Sequence, residues 1–166
     1  MFQVPPWRFA SLLQLSFGEA LVGPLSECLF ECLEKHFGDL EFDCLVPVPS
    51  HPGRIRSRGF DAVGLISRRF SRKFQVPIAN ALGEGSVHPA AVWFEPVGQG
   101  PQPEESFQMN SGNKLPPGNL LVIDNVLTTG TTLSEVASVI AAQEGGRNRF
   151  ALTVARTPLL GTRGSG

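Results

Sequence analysis

Residues 119–133 read Asn119-Leu120-Leu121-Val122-Ile123-Asp124-Asn125-Val126-Leu127-Thr128-Thr129-Gly130-Thr131-Thr132-Leu133, and the architecture follows from that order. The run opens apolar and unbroken, rich in branched side chains and too short for a surface helix. A strand buried on both faces of a parallel sheet has this composition. It reaches a carboxylate at Asp124, and beyond Leu127 it becomes hydroxyl-rich around Gly130. Leu133, Val136, Ala137, Ile140 and Ala141 then recur at helical spacing until Gly145-Gly146 ends the pattern.

A loop between a parallel strand and a helix turns backbone N–H groups outward at the positive end of the helix dipole, which suits phosphate. Gly130 permits close approach, and the hydroxyls of Thr128, Thr129, Thr131 and Thr132 add donors. Asp124 falls at the carboxyl end of the strand, where open α/β sheets take their ligands, and can accept hydrogen bonds from sugar hydroxyls. The residues therefore point to a phosphorylated sugar, with phosphate on 128–132 and ribose at Asp124. No Gly-Lys-Ser/Thr follows, so the loop is not of the triphosphate-binding kind.

Leu121 to Thr132 resembles the phosphoribosyl-pyrophosphate (PRPP) signature of type I phosphoribosyltransferases. The resemblance implies a mostly parallel central sheet flanked by helices and a PRPP site that is occupied together with Mg²⁺. It also implies catalytic roles for Asp124 and Asn125. The family pattern has two adjacent acids, and here the second is Asn125, which brings no charge for a metal or a cationic sugar. Members that salvage 6-oxopurines carry aspartate where this chain has Thr128, which argues against that substrate class.

A second segment lies upstream. Asp43-Cys44-Leu45-Val46-Pro47-Val48-Pro49 reads as a short strand closed by prolines, followed by a cation-rich loop holding His51, Arg54, Arg56 and Arg58. Guanidinium forks match phosphate oxygens, so arginines just past a strand end suit an anion. Val46-Pro47-Val48-Pro49 with Arg58-Gly59-Phe60 is similar to the signature of the ComF family of competence-associated, phosphoribosyltransferase-like proteins. Asp61 stands where that family usually has Asn. The resemblance makes Arg54, Arg56 and Arg58 candidate pyrophosphate contacts. It also allows a second reading, a PRPP- or nucleotide-binding protein without turnover that acts in DNA uptake on single-stranded DNA, or in regulation. The four-cysteine zinc cluster with which ComF proteins often begin has no counterpart in this chain.

The remaining sequence bounds these readings. The chain has 166 residues, enough for one domain with a sizeable core, and a formal net charge of −1, which exerts no general pull on nucleic acid or membrane. Three cysteines without Cys-x-x-Cys spacing, and no apolar run or leader pattern of membrane or secretory type, lead us to expect a cytoplasmic protein. Residues 1–20 form an apolar arm that makes a homodimer plausible, 21–158 the domain, and 159–166 a disordered tail. Helices are expected near 21–36, 62–74 and 132–143, with strands near 43–48, 76–79, 90–94, 120–125 and 150–155. Residues 95–119, rich in Pro, Gly, Gln and Asn, read as a mobile loop. Cys28, Cys32 and His36 recur every fourth residue of the first helix, where three donors spread over two turns cannot meet on one ion. The cysteines are expected in the core.

Overall fold

The computed structural model describes residues 18–84, 106–127, 129–143 and 145–156. Three parallel strands form its centre: β1 (Cys44–Pro47), β4 (Gly118–Leu127) and β5 (Arg147–Arg156), in the order β1-β4-β5. Leu45 pairs with Leu121 across one ladder, and Phe150 with Leu121 across the other, so β4 is hydrogen-bonded on both edges. The outer edge of β1 is covered as well. The Leu45 N–H donates to the Pro77 carbonyl at 2.8 Å and its carbonyl accepts from the Ala79 N–H at 2.8 Å. The strand expected at 76–79 thus contributes one parallel bridge, at Ile78.

Period-two alternation divides the apolar residues between two layers. Leu45, Leu121, Ile123 and Leu152 face α1 (Gly18–Phe37) and α3 (Ala62–Phe74), meeting Leu29, Phe30, Ile66 and Phe70. Cys44, Val46, Leu120 and Val122 face the other way, against Val136 and Ile140 of α4 (Thr131–Ala141). Val22, Leu25, Ser26, Leu29, Phe30 and Leu33 form the buried stripe of α1, spaced three and four apart as a helix requires. In α3 the stripe is Ala62, Val63, Ile66, Ser67 and Phe70. Where the two helices meet, the Phe30 ring packs edge-on to Phe70 and Phe74 at 5.6 and 5.4 Å, and Lys73 lies 4.9 Å above it.

Several expectations change. The stretch read as a cation-rich loop contains a helix, α2 (Pro52–Arg58), with Pro52 in its first turn and Gly59 in the left-handed region behind it. A small antiparallel ribbon, β2 (Leu82–Glu84) with β3 (Phe107–Met109), covers the α4 layer. Asn110 fastens it by donating to the carbonyls of Asn80 (2.9 Å) and Leu82 (3.2 Å). Within the stretch read as a mobile loop, residues 107–109 are therefore strand and 118–119 already belong to β4. Residues 95–105, the strand expected at 90–94, positions 1–17 of the arm and the tail lie outside the described residues, and the arm's last three positions, 18–20, begin α1. The cysteines also depart from expectation, since Cys28 and Cys32 are exposed and only Cys44 is buried.

The amino edge of the sheet is closed by polar contacts. Asp43 accepts from the Asn119 N–H at 2.7 Å, and the Asn119 side chain donates to the Glu41 carbonyl at 2.8 Å. The Arg147 guanidinium donates to four carbonyls, those of Leu115 (2.7 Å), Pro116 (3.0 Å), Gln143 (3.2 Å) and Gly145 (3.3 Å). The last two lie just past the C-terminus of α4, where a cation also suits the helix dipole.

Two substitutions test this packing. Gly118 has φ +101°, and a Cβ there would collide with the Asp43 carboxylate. Gly118→Ala is expected to destabilise by at least about 1–2 kcal/mol in urea unfolding. Ser67 has a buried hydroxyl with no hydrogen-bond partner, so Ser67→Ala is expected to hold or raise the melting temperature, with a gain of up to about 1 kcal/mol.

Candidate functional site

All three central strands end on one edge, because Pro47 pairs with Ile123 and Arg156 with Leu127 in parallel register. Beyond Pro47 the Val48 N–H still donates to the Ile123 carbonyl at 2.9 Å, so the chain leaving β1 runs beside Asp124. The segment leading into α2 and the loop entering α4 therefore share the carboxyl edge. The sequence-selected groups around Asp124 and around Arg54 are brought to one side of the molecule.

Asp124 is 8 % exposed, and its Oδ1 accepts from the Asn125 N–H at 2.7 Å. Strand alternation aims Asp124 toward the layer of Leu120 and Val122, on which α4 packs, and Asn125 toward the layer of Leu121 and Ile123. The adjacent pair thus divides between two faces of the sheet. Both residues lie within β4, which continues as strand to Leu127, two residues further than the sequence suggested.

Gly130 is the N-cap of α4, with φ +88° and ψ 0°. A Cβ there would have room, its nearest neighbour being Leu127 Cδ1 at 3.7 Å, so the backbone angle is what selects glycine. Glycine at this position has no side chain with which to cap the helix. The exposed Thr129 and Thr131 hydroxyls bond each other at 2.8 Å, and the Thr131 N–H leans on Thr129 Oγ1 at 3.4 Å. Thr132 is half-buried in the first turn. Thr128 lies outside the described residues. One turn further on, Glu135 accepts from the Phe107 N–H at 3.3 Å and ties β3 to the helix that begins at this loop.

Helix α2 rearranges the arginines. His51 caps it, its Nδ1 accepting from the Gly53 N–H at 3.1 Å, so that nitrogen has a structural task. Arg54 and Arg58 are four apart and share a face, while Arg56 points to the other side of the helix. The three candidate pyrophosphate contacts do not converge as a single cluster. Ser50 donates to Asp61 Oδ1 at 3.2 Å, linking the exit of β1 to the start of α3 and placing a second acid on this edge. On α3, Arg69 and Lys73 are paired with Glu27 (3.4 Å) and Glu34 (3.3 Å) of α1. Part of the basic surface of α3 is thereby neutralised.

Elsewhere, a shallow cavity of about 400 Å³ lined by residues 34–40 lies at the C-terminal end of α1, near the amino edge and away from Asp124. Among the described residues no three ligating side chains cluster for a metal, and no helix is long and apolar enough to cross a membrane. Arg147 carries no sequence pattern that would have marked it, since carbonyl oxygens are available from any residue.

With this geometry in view, the chain was compared with known proteins. No family model and no curated protein matches the sequence. Solved structures do match the fold, and phosphoribosyltransferases are among them. One adenine phosphoribosyltransferase superimposes with a TM-score of 0.52 at 14 % identity, over 81 % of this chain and 80 % of its own. Adenine phosphoribosyltransferase from Saccharomyces cerevisiae, solved with an imino-altritol bisphosphate and adenine, gives 0.50 at 14 % identity, over 82 % and 79 %. The chain therefore has the α/β fold of these enzymes, a parallel sheet flanked by helices.

Cys44 separates from the other thiols in reactivity. Burial pushes its thiol up, a hydrogen bond with the Ala79 backbone partly opposes this, and the Asp43 carboxylate adds to the rise. Ellman's reagent at pH 8 is expected to titrate two thiols rapidly in the native protein, and the third only in denaturant.

Proposed function

We propose that the protein binds PRPP with Mg²⁺ at the carboxyl edge of its sheet and transfers phosphoribose to an acceptor, releasing pyrophosphate. The observation that carries this reading is the Gly130 turn. It opens the N-terminus of α4 beside a buried carboxylate at the end of the central strand, in a fold whose solved neighbours are phosphoribosyltransferases. A neighbour of this fold holds a sugar-like bisphosphate together with a base, the ligand chemistry this edge would take. The Pro-Val-Pro and Arg-Gly-Phe segments favour a ComF-type member of the class.

In this reading, the backbone N–H groups at Gly130 to Thr132 and the hydroxyls of Thr128, Thr129, Thr131 and Thr132 hold the 5′-phosphate. Asp124 accepts from ribose hydroxyls and stabilises positive charge developing on the sugar. The diphosphate lies toward α2, with Arg54 and Arg58 on one helical face able to act together and Arg56 apart from them. A hard ion that retains most of its water suits a site with few carboxylates, so Asp124 would hold Mg²⁺ with help from the substrate's own oxygens. Bound there, the ion would supply positive charge to offset that of the pyrophosphate.

Asn125 favours a second reading, binding without efficient turnover, because it supplies no charge where a second acid would stand. Isothermal titration with PRPP and Mg²⁺ tests the first. Saturable binding is expected in the parent, weakened about tenfold or more in Asp124→Ala and in Gly130→Val. No binding by the parent rejects the proposal. Pyrophosphate release in Asn125→Asp distinguishes the two readings, since a large gain over the parent identifies a site held back by that one amide.

A further inference from the structure

The exposure of Cys28 and Cys32 opens a reading that a core position would have closed. Both lie on α1, a helix of 20 residues, four positions apart. Residues at that spacing are neighbours on one face, with Cβ atoms roughly 5–6 Å apart. A disulfide needs Cβ atoms about 3.5–4.5 Å apart, so the helix holds the pair too far apart to oxidise without distortion. A metal bridge needs less. With metal–sulfur bonds of about 2.3 Å, two sulfurs leaning toward each other reach one ion from this separation.

Among the described residues the face is not committed elsewhere. Leu25, Leu29 and Leu33 point into the core, and Glu27 and Glu34 are occupied on the flank toward α3 by Arg69 and Lys73. Neither cysteine belongs to the buried stripe. His36, one turn beyond Cys32, is exposed as well, but lies two turns from Cys28.

We propose that Cys28 and Cys32 form a two-thiolate chelate for a thiophilic d¹⁰ divalent cation, zinc or cadmium, on the outer face of α1. Binding exchanges two S–H protons for two metal–sulfur bonds, and water fills the remaining positions, since no third ligating side chain joins the pair among the described residues. This site is independent of the carboxyl edge.

The test uses the full chain, reduced with a phosphine and kept anaerobic, titrated with cadmium chloride. The thiolate-to-cadmium charge-transfer band and proton release into weak buffer are followed together. One cadmium per chain and about two protons per ion are expected. Cys28→Ser and Cys32→Ser, both surface changes, should each weaken binding at least tenfold while leaving the thermal unfolding of the apoprotein unchanged. Cys32→Ser/Lys35→Cys keeps two thiols on the helix but sets them two turns apart, and should bind no better than the single-serine variants. Parent affinity equal to that of either serine variant, or full affinity in the displaced pair, overturns the proposal.

Discussion

Everything in this molecule depends on β4 being hydrogen-bonded along both edges and covered on both faces. A central parallel strand must satisfy its backbone inside the sheet and present apolar side chains to two layers at once. Leu120 to Ile123 meet both demands, since each is almost wholly buried and alternate residues enter opposite cores. The helices follow from this. Parallel neighbours require crossovers, and α4 is the crossover that returns the chain from β4 to β5. The candidate site lies where that satisfied strand ends and a helix opened by glycine begins.

The two ends of the sheet are built differently. At the amino edge, carbonyls and amides are collected by Asp43, Asn119 and Arg147, with the guanidinium fork used against four oxygens. At the carboxyl edge, hydroxyls and helix-end N–H groups are left facing outward, and α2 and α3 are joined to it by short polar links such as Ser50 to Asp61. Polar contacts that fasten the backbone are gathered at one end, and exposed hydroxyls such as those of Thr129 and Thr131 lie at the other. This is the arrangement expected of an α/β sheet that binds at its carboxyl end.

Much of this could be read from the amino acids, for physical reasons. The long apolar run of β4 and the three-four spacing in α1 and α3 are strong periodic signals, and the Thr/Gly loop lies where strand period gives way to helix period. Helix α2 was missed because Pro52-Gly53 resembles a turn, although proline at the start and Gly59 behind the end are the marks of a short helix. The β2–β3 ribbon has strands of three residues, which tertiary contacts such as those of Asn110 define. Cys28 and Cys32 are expected in the core because small apolar thiols are commonly buried. Their offset from the Leu25, Leu29, Leu33 row already carried the opposite answer. The division of Asp124 and Asn125 between two faces was already implied by a strand expected through 125, since alternation sends adjacent residues to opposite faces.

The Arg147 clasp bears on how such a protein can change over generations. A ten-residue strand extends roughly 30 Å, far beyond the range over which substitutions usually influence one another. Residues around Thr129 and Arg54 can therefore be exchanged while the fastening at the opposite end of β4 keeps the sheet intact. A chain built this way can drift far in sequence at its carboxyl edge and still be recognised by its shape.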